Sequence, residues 1–175
     1  MKDPITIIEN VHAQHAALCD TLECIADSLP KAIDADLCAS VLDVLKNDLP
    51  LHHKDEEDGL FPILREKALT DESLAIHLDQ LSWEHSADES AAHEIAEALE
   101  KLASGEHPEN PNMLGYMLRA FFESYRRHLH LEDTVLLPLA RDRLSAEELA
   151  KLSAIMTAHR KLTHKTSESC GRITQ

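Results

Sequence analysis

Four amphipathic stripes, each with a histidine among its apolar positions, constrain this chain more tightly than anything else in its 175 residues. Val11, Leu18, Leu22, Ile25 and Leu29 recur at helical steps of three and four around His15, and Pro30 closes that helix. A second stripe, Val41, Leu45, Leu49, His52, Glu56, Leu60 and Ile63, runs to Lys67, with Pro50 expected to kink or restart it. The third follows a Thr70-Asp71 N-cap with Leu74, Leu78, Leu81, His85, Asp88, Ala92, Ile95, Leu99 and Leu102, and stops at Ser104-Gly105. The fourth starts from Asn110-Pro111 and carries Leu114, Leu118, Phe121, Tyr125, His128, Glu132, Val135 and Leu139. A capping box from Ser145 to Glu148 opens a shorter fifth helix with Leu149, Leu152, Met156 and His159.

The stripes predict an all-α fold. Residues 1–143 are expected to form an up-down antiparallel four-helix bundle, with a C-terminal helix at 144–168 packed on its outside and a tail at 169–175. Only 4 glycines and few strand-forming residues favour helix over sheet throughout.

Burying histidine and glutamate is costly unless each is paired or bound to a metal. One such histidine is ordinarily a hydrogen-bonded core residue. Four at mid-helix depth, two of them followed one turn later by glutamate, are better explained by a shared ion. In His52-x-x-x-Glu56 and His128-x-x-x-Glu132 the i to i+4 spacing puts imidazole and carboxylate on one helix face. The two segments also align beyond that pair: Leu60 and Pro62 match Leu136 and Pro138, and the acids Glu57 and Asp133 coincide. This register selects His52 over His53 as the ligand. Nitrogen and oxygen donors suit iron, manganese or zinc, and disfavour calcium. Four histidines and two glutamates fit two ions better than one, the glutamates bridging, with open positions left for a small molecule.

Together these residues resemble the hemerythrin HHE cation-binding family. The resemblance rests on Gln14-His15-Ala16-Ala17-Leu18, on His52 and Glu56 before Leu60-Phe61-Pro62, on Glu84-His85, and on His128 and Glu132 before Leu136-Leu137-Pro138. It implies a bundle holding two non-haem irons, joined by carboxylates and an oxo or hydroxo group, that bind O2, NO or peroxide. It assigns ligand roles to His15, His52, Glu56, His85, His128 and Glu132. Oxygen-carrying members usually have a further histidine one turn after the helix-three ligand, where this chain has Glu89. Coordination by Glu89 would favour the ferric state and oxidative chemistry over reversible O2 binding. The alternative is a solvent-facing Glu89, since Asp88 fits the apolar stripe better.

His12 and His53 read as exposed helix histidines, or else as partners of the ligands or a fifth imidazole. Tyr125, on the inward stripe, needs a hydrogen-bond partner if buried. His159 reads as packing, His93 as surface or an outer partner, and Cys19 and Cys24 as ordinary helix residues.

The charge of −15 repels phosphate backbones and acidic membrane surfaces, and 3% aromatics leave little for base stacking, so neither nucleic acid nor membrane is an expected partner. No apolar run approaches the roughly 18 residues of a membrane span. Met1-Lys2-Asp3-Pro4 lacks the blocks of a signal peptide, which makes the cytoplasm the expected compartment. The first functional reading is a module that binds O2 or NO for handling, sensing or redox signalling. The second is an enzyme that turns over peroxide or NO, or donates iron during repair of metal centres. The third is a structural zinc or other cation site, for which six donors exceed the usual closed set of four.

Overall fold

A computed structural model describes the backbone of residues 3–68 and 71–170 and the side chains as far as Leu162. Helix α1, Pro4–Ser28, starts where the Asp3 carboxylate accepts the Thr6 N–H at 3.2 Å. It ends two residues before Pro30, with Leu29 extended as a residue preceding proline prefers. The second arm begins earlier than its stripe suggests. Helix α2, Ala35–Ser40, is capped by Asp34 and buries Cys38. It leads through a π turn, Val44–Asp48, into α3, Leu49–Asp55, then through a second π turn, Glu56–Leu60, into α4, Phe61–Lys67. Helix α5, Glu72–Ala103, is capped by Asp71; Thr70, the other half of that expected cap, lies outside the described residues. Helix α6, Pro111–Leu131, continues through a π turn, Glu132–Leu136, into α7, Leu137–Arg143. Helix α8, Ala146–Cys170, opens with the Ser145–Glu148 capping box and extends two residues past its expected end, while residues 171–175 of the expected tail are outside the described residues. No strand occurs among the described residues, and the chain is all-α.

Pro50 does not restart the second arm, in which helical backbone runs without a break from Val44 to Lys67. Proline lacks the N–H that an α-helix uses, and its ring meets the carbonyl four residues back. All three π turns end directly before a Leu-Pro or Phe-Pro pair. Their closing bonds, Leu49 N–H to Val44 O, Phe61 N–H to Glu56 O and Leu137 N–H to Glu132 O, each take one extra residue into the turn. The widened turn makes room for the ring, and the helical backbone continues through it. Glu56 and Glu132 each open one of these turns.

The bundle interior is layered. One apolar core gathers Leu22, Ile25, Leu49, Ile95, Leu118 and Phe122; the other gathers Ile8, Leu60, Phe61, Leu78, Leu81 and Leu137. Between them, in chain order along every arm, lie His12 and His15, His52, His53 and Glu56, His85 and Asp88, and His128 and Glu132, all buried. Helix α8 adds Leu152 and Met156 to the second core and rests on α1, α3 and the Glu56–Leu60 turn.

Candidate metal centre

Three groups of side chains in this layer bring ligand atoms within 4.8 Å of one another: His12, His52, Glu56 and Glu132; Glu56, His85, His128 and Glu132; and His53, His85 and His128. The glutamates belong to both of the first two groups and so stand between them. His52 Nε2 lies 3.4 Å and His85 Nε2 3.3 Å from Glu56 Oε2, while His12 Nε2 and His128 Nε2 each lie 3.3 Å from Glu132 Oε2. Two donors each about 2.1 Å from one ion stand roughly 3 to 3.5 Å apart, which is the spacing seen here. None of these Nε2 atoms has a hydrogen-bond partner among the described residues, nor does any oxygen of Glu56 or Glu132. Leaving buried polar atoms unpaired costs about 1–3 kcal/mol each. A chain that concentrates them in one layer needs something there to satisfy them, and the donor set fits divalent metal.

The far sides of the rings carry the complementary pattern. The Nδ1–H of His12 donates to Asp133 at 2.6 Å, of His53 to Glu89 at 3.2 Å, of His85 to Glu57 at 2.8 Å, and of His128 to Glu84 at 3.0 Å. A carboxylate behind an imidazole fixes its tautomer with the other nitrogen free, and raises its basicity as a ligand. The matched acids Glu57 and Asp133 thus do matched jobs, each reaching from its π turn to a histidine on another helix.

The charges inside the layer are unbalanced. Burial pulls imidazoles toward the neutral form and prevails at His52 and His53, held well below their ordinary range, and at His15, brought down to about 4. Burial also opposes charge on His12 and His85, but the carboxylates of Asp133 and Glu56 beside the first, and of Glu56 and Glu57 beside the second, raise both to about 10. The two glutamates diverge. Burial works against the Glu56 carboxylate, yet the imidazoles of His52, His12 and His85 around it keep it well below the usual range; burial and the neighbouring Glu56 charge push Glu132 up. Two buried carboxylates crowded together favour a cation between them.

The structure gathers His52, Glu56, His85, His128 and Glu132 as the sequence groups them. Two other expected ligands fall outside the three groups. His15 is buried with Nε2 unpartnered, but lies outside the three groups and pairs through Nδ1 with the Tyr125 hydroxyl at 2.8 Å. Glu89 is half-exposed and sits behind His53 instead of within a group. His12 and His53, read as exposed or else as partners of the ligands or a fifth imidazole, are 2% and 1% exposed and belong to the groups. One signal for His12 was present. Setting α1 beside α5 in register pairs Ile5 with Leu78, Ile8 with Leu81, His12 with His85, His15 with Asp88 and Leu22 with Ile95, every one of them buried. His93 is exposed and pairs with Glu97; Cys19 is buried and Cys24 exposed.

The family model described as hemerythrin HHE cation binding domain matches residues 3–140. A protein of Haemophilus influenzae named only as uncharacterized is 27% identical over 165 residues, covering 91% of each chain. With the family model spanning all four arms of the bundle, and the layer of histidines and glutamates within its bounds, the chain belongs to the hemerythrin HHE cation-binding domain family.

Proposed function

We propose that the chain holds two iron ions in this layer and binds O2 or NO there, for handling, sensing or redox signalling. The observation that carries the reading is the set of inward-facing, unpartnered imidazole nitrogens around two carboxylates that have no other partner. His12 and His52 would serve one ion, His85 and His128 the other, with Glu56 and Glu132 between them and His53 within reach of the second. His15 and Glu89 are assigned supporting places, the first beside Tyr125 and the second behind His53. Mixed imidazole and carboxylate donors without thiolate favour iron or manganese over a structural zinc site.

Bound iron would supply the redox electrons and the open positions at which O2 or NO attaches. The protein's own contribution is to orient the imidazoles through Asp133, Glu57, Glu84 and Glu89, and to keep bulk water out with an apolar core above and below. One observation favours turnover as a second reading. His15, unpartnered at Nε2 and backed by the Tyr125 hydroxyl, is a group able to hold or pass a proton beside the centre.

The test is to load the chain with ferrous iron without air and follow absorption and electron spin resonance while NO, then O2, is added. New bands with NO that persist, and that are absent from a Glu132→Ala variant, are the expected result. Rapid consumption of NO or peroxide over many cycles would establish turnover in its place. Absence of any change with iron bound would overturn the gas-binding reading.

A further inference from the structure

Helix α8 lies beyond the residues matched by the family model, yet it is tied to the turn that carries Glu56. Asp55, immediately before Glu56, is 1% exposed and faces away from the metal layer. Its Oδ1 accepts the Nδ1–H of His159 at 2.8 Å and its Oδ2 accepts a guanidinium N–H of Arg160 at 2.7 Å. The other ring nitrogen of His159 is 3.4 Å from Asp58, so one imidazole spans the turn from the residue before Glu56 to the second residue after it. Below this, Gly59 lets α8 come close: a Cβ there would stand 2.8 Å from Leu152 Cδ1 and 3.6 Å from Ile155 Cγ2.

The sister turn shows what this adds. Where the first copy has Asp55, Asp58 and Gly59, the second has Leu131, Thr134 and Val135, which carry no carboxylate and add a Cβ at the glycine position. The shared histidine, glutamate and following acid serve the metal layer. Asp55, Asp58 and Gly59, at which the copies differ, serve α8.

We infer that α8 is a latch on the Glu56–Leu60 turn, with Asp55, His159 and Arg160 as positioning residues that fix the Glu56 carboxylate for the metal ions. A helix turn holding an extra residue is less constrained than a regular one, and a bridging carboxylate must keep its place for both ions at once. The inference rests on the two-ion reading above for its metal half, but the latch itself can be tested on the metal-free chain.

Amide hydrogen exchange of the full metal-free chain should show the Phe61 N–H, bonded to Glu56 O, exchanging more slowly than the Leu137 N–H of the sister turn. His159→Leu should speed exchange at Phe61 by about tenfold or more and leave Leu137 unchanged, while His159→Asn, which keeps a donor toward Asp55, should restore protection. Should His159→Leu not fold, the partly exposed Arg160→Gln carries the same test. In the iron-loaded chain, the same variant should release iron to a chelator about tenfold faster than wild type, and His159→Asn should release it near the wild-type rate. Exchange that rises equally at both turns, or not at all, overturns the latch. Exchange that rises only at Phe61 with iron release unchanged overturns its role in positioning Glu56. A wild-type chain that takes up no metal defeats the two-ion reading, and the exchange pattern still decides the latch.

Discussion

The layer between the two apolar cores is built twice. In one half, His52 lies one turn before a widened turn that Glu56 opens and whose next acid, Glu57, steadies His85 on α5; in the other, His128 lies one turn before a widened turn that Glu132 opens and whose next acid, Asp133, steadies His12 on α1. Each half therefore supplies a carboxylate and a histidine of its own and orients a histidine of a third arm. The halves part company around this frame. His53 accompanies the first turn where Leu129 accompanies the second, and α8 rests on the first turn. The common features are those that coordination requires, and the differences leave one side of the centre richer in imidazole and more firmly held.

Breaking the shared element should have the largest effect. Replacing Glu56 or Glu132 with alanine should abolish loading of both ions, measured as metal per chain, because each carboxylate serves both groups. If only one ion is lost, the glutamates are not shared. Next in size is the choice of the α1 ligand: His12→Ala should lose about half of the metal, while His15→Ala should keep nearly all of it. The reverse outcome would restore His15 to the place that the resemblance assigns it. The orienting acids come third. Glu57→Gln and Asp133→Asn should each weaken metal binding by about 10- to 100-fold in chelator competition, and by similar factors, since they hold equivalent places. A large inequality would mean that the two halves are not functionally matched. Glu89→Gln should have the smallest effect, below the other two acids, because its bond to His53 is long and its carboxylate half-exposed.

Proton release sharpens the comparison from another side. His12 and His85, raised to about 10 in the metal-free chain, hold protons at neutral pH and must give them up to coordinate. Metal binding should therefore release protons at pH 7, seen as a dependence of the binding heat on buffer ionisation enthalpy. His12→Ala and His85→Ala should each reduce that release.

The bundle was legible because stripes of apolar residues at helical spacing leave few ways to bury them, and the N-caps at Asp71, Asn110 and Ser145 mark their starts. The paired His-x-x-x-Glu segments were legible through their shared register with Pro62 and Pro138. Local pattern could not show how the prolines are accommodated, because the sequence carries the ring's conflict but not the extra residue in the turn that resolves it. His12 and His53 were harder to read because each adjoins another histidine within a turn. Which of two neighbouring imidazoles points inward depends on how the helix is rotated against three others. Glu89 was ambiguous for a related reason: one turn from His85 it could face the layer, and the rotation of α5 instead gives that direction to Asp88. The partnership of Asp55 with His159 joins residues far apart in the chain, and nothing local announces it.

The central claim, that the buried layer holds two iron ions, is tested most directly by elemental analysis of chain purified without a histidine tag, loaded with ferrous iron and freed of excess metal. About two irons per wild-type chain, and essentially none in the Glu56→Ala and Glu132→Ala variants, is the predicted result. No retained iron, or the same iron content in wild type and variants, would contradict it.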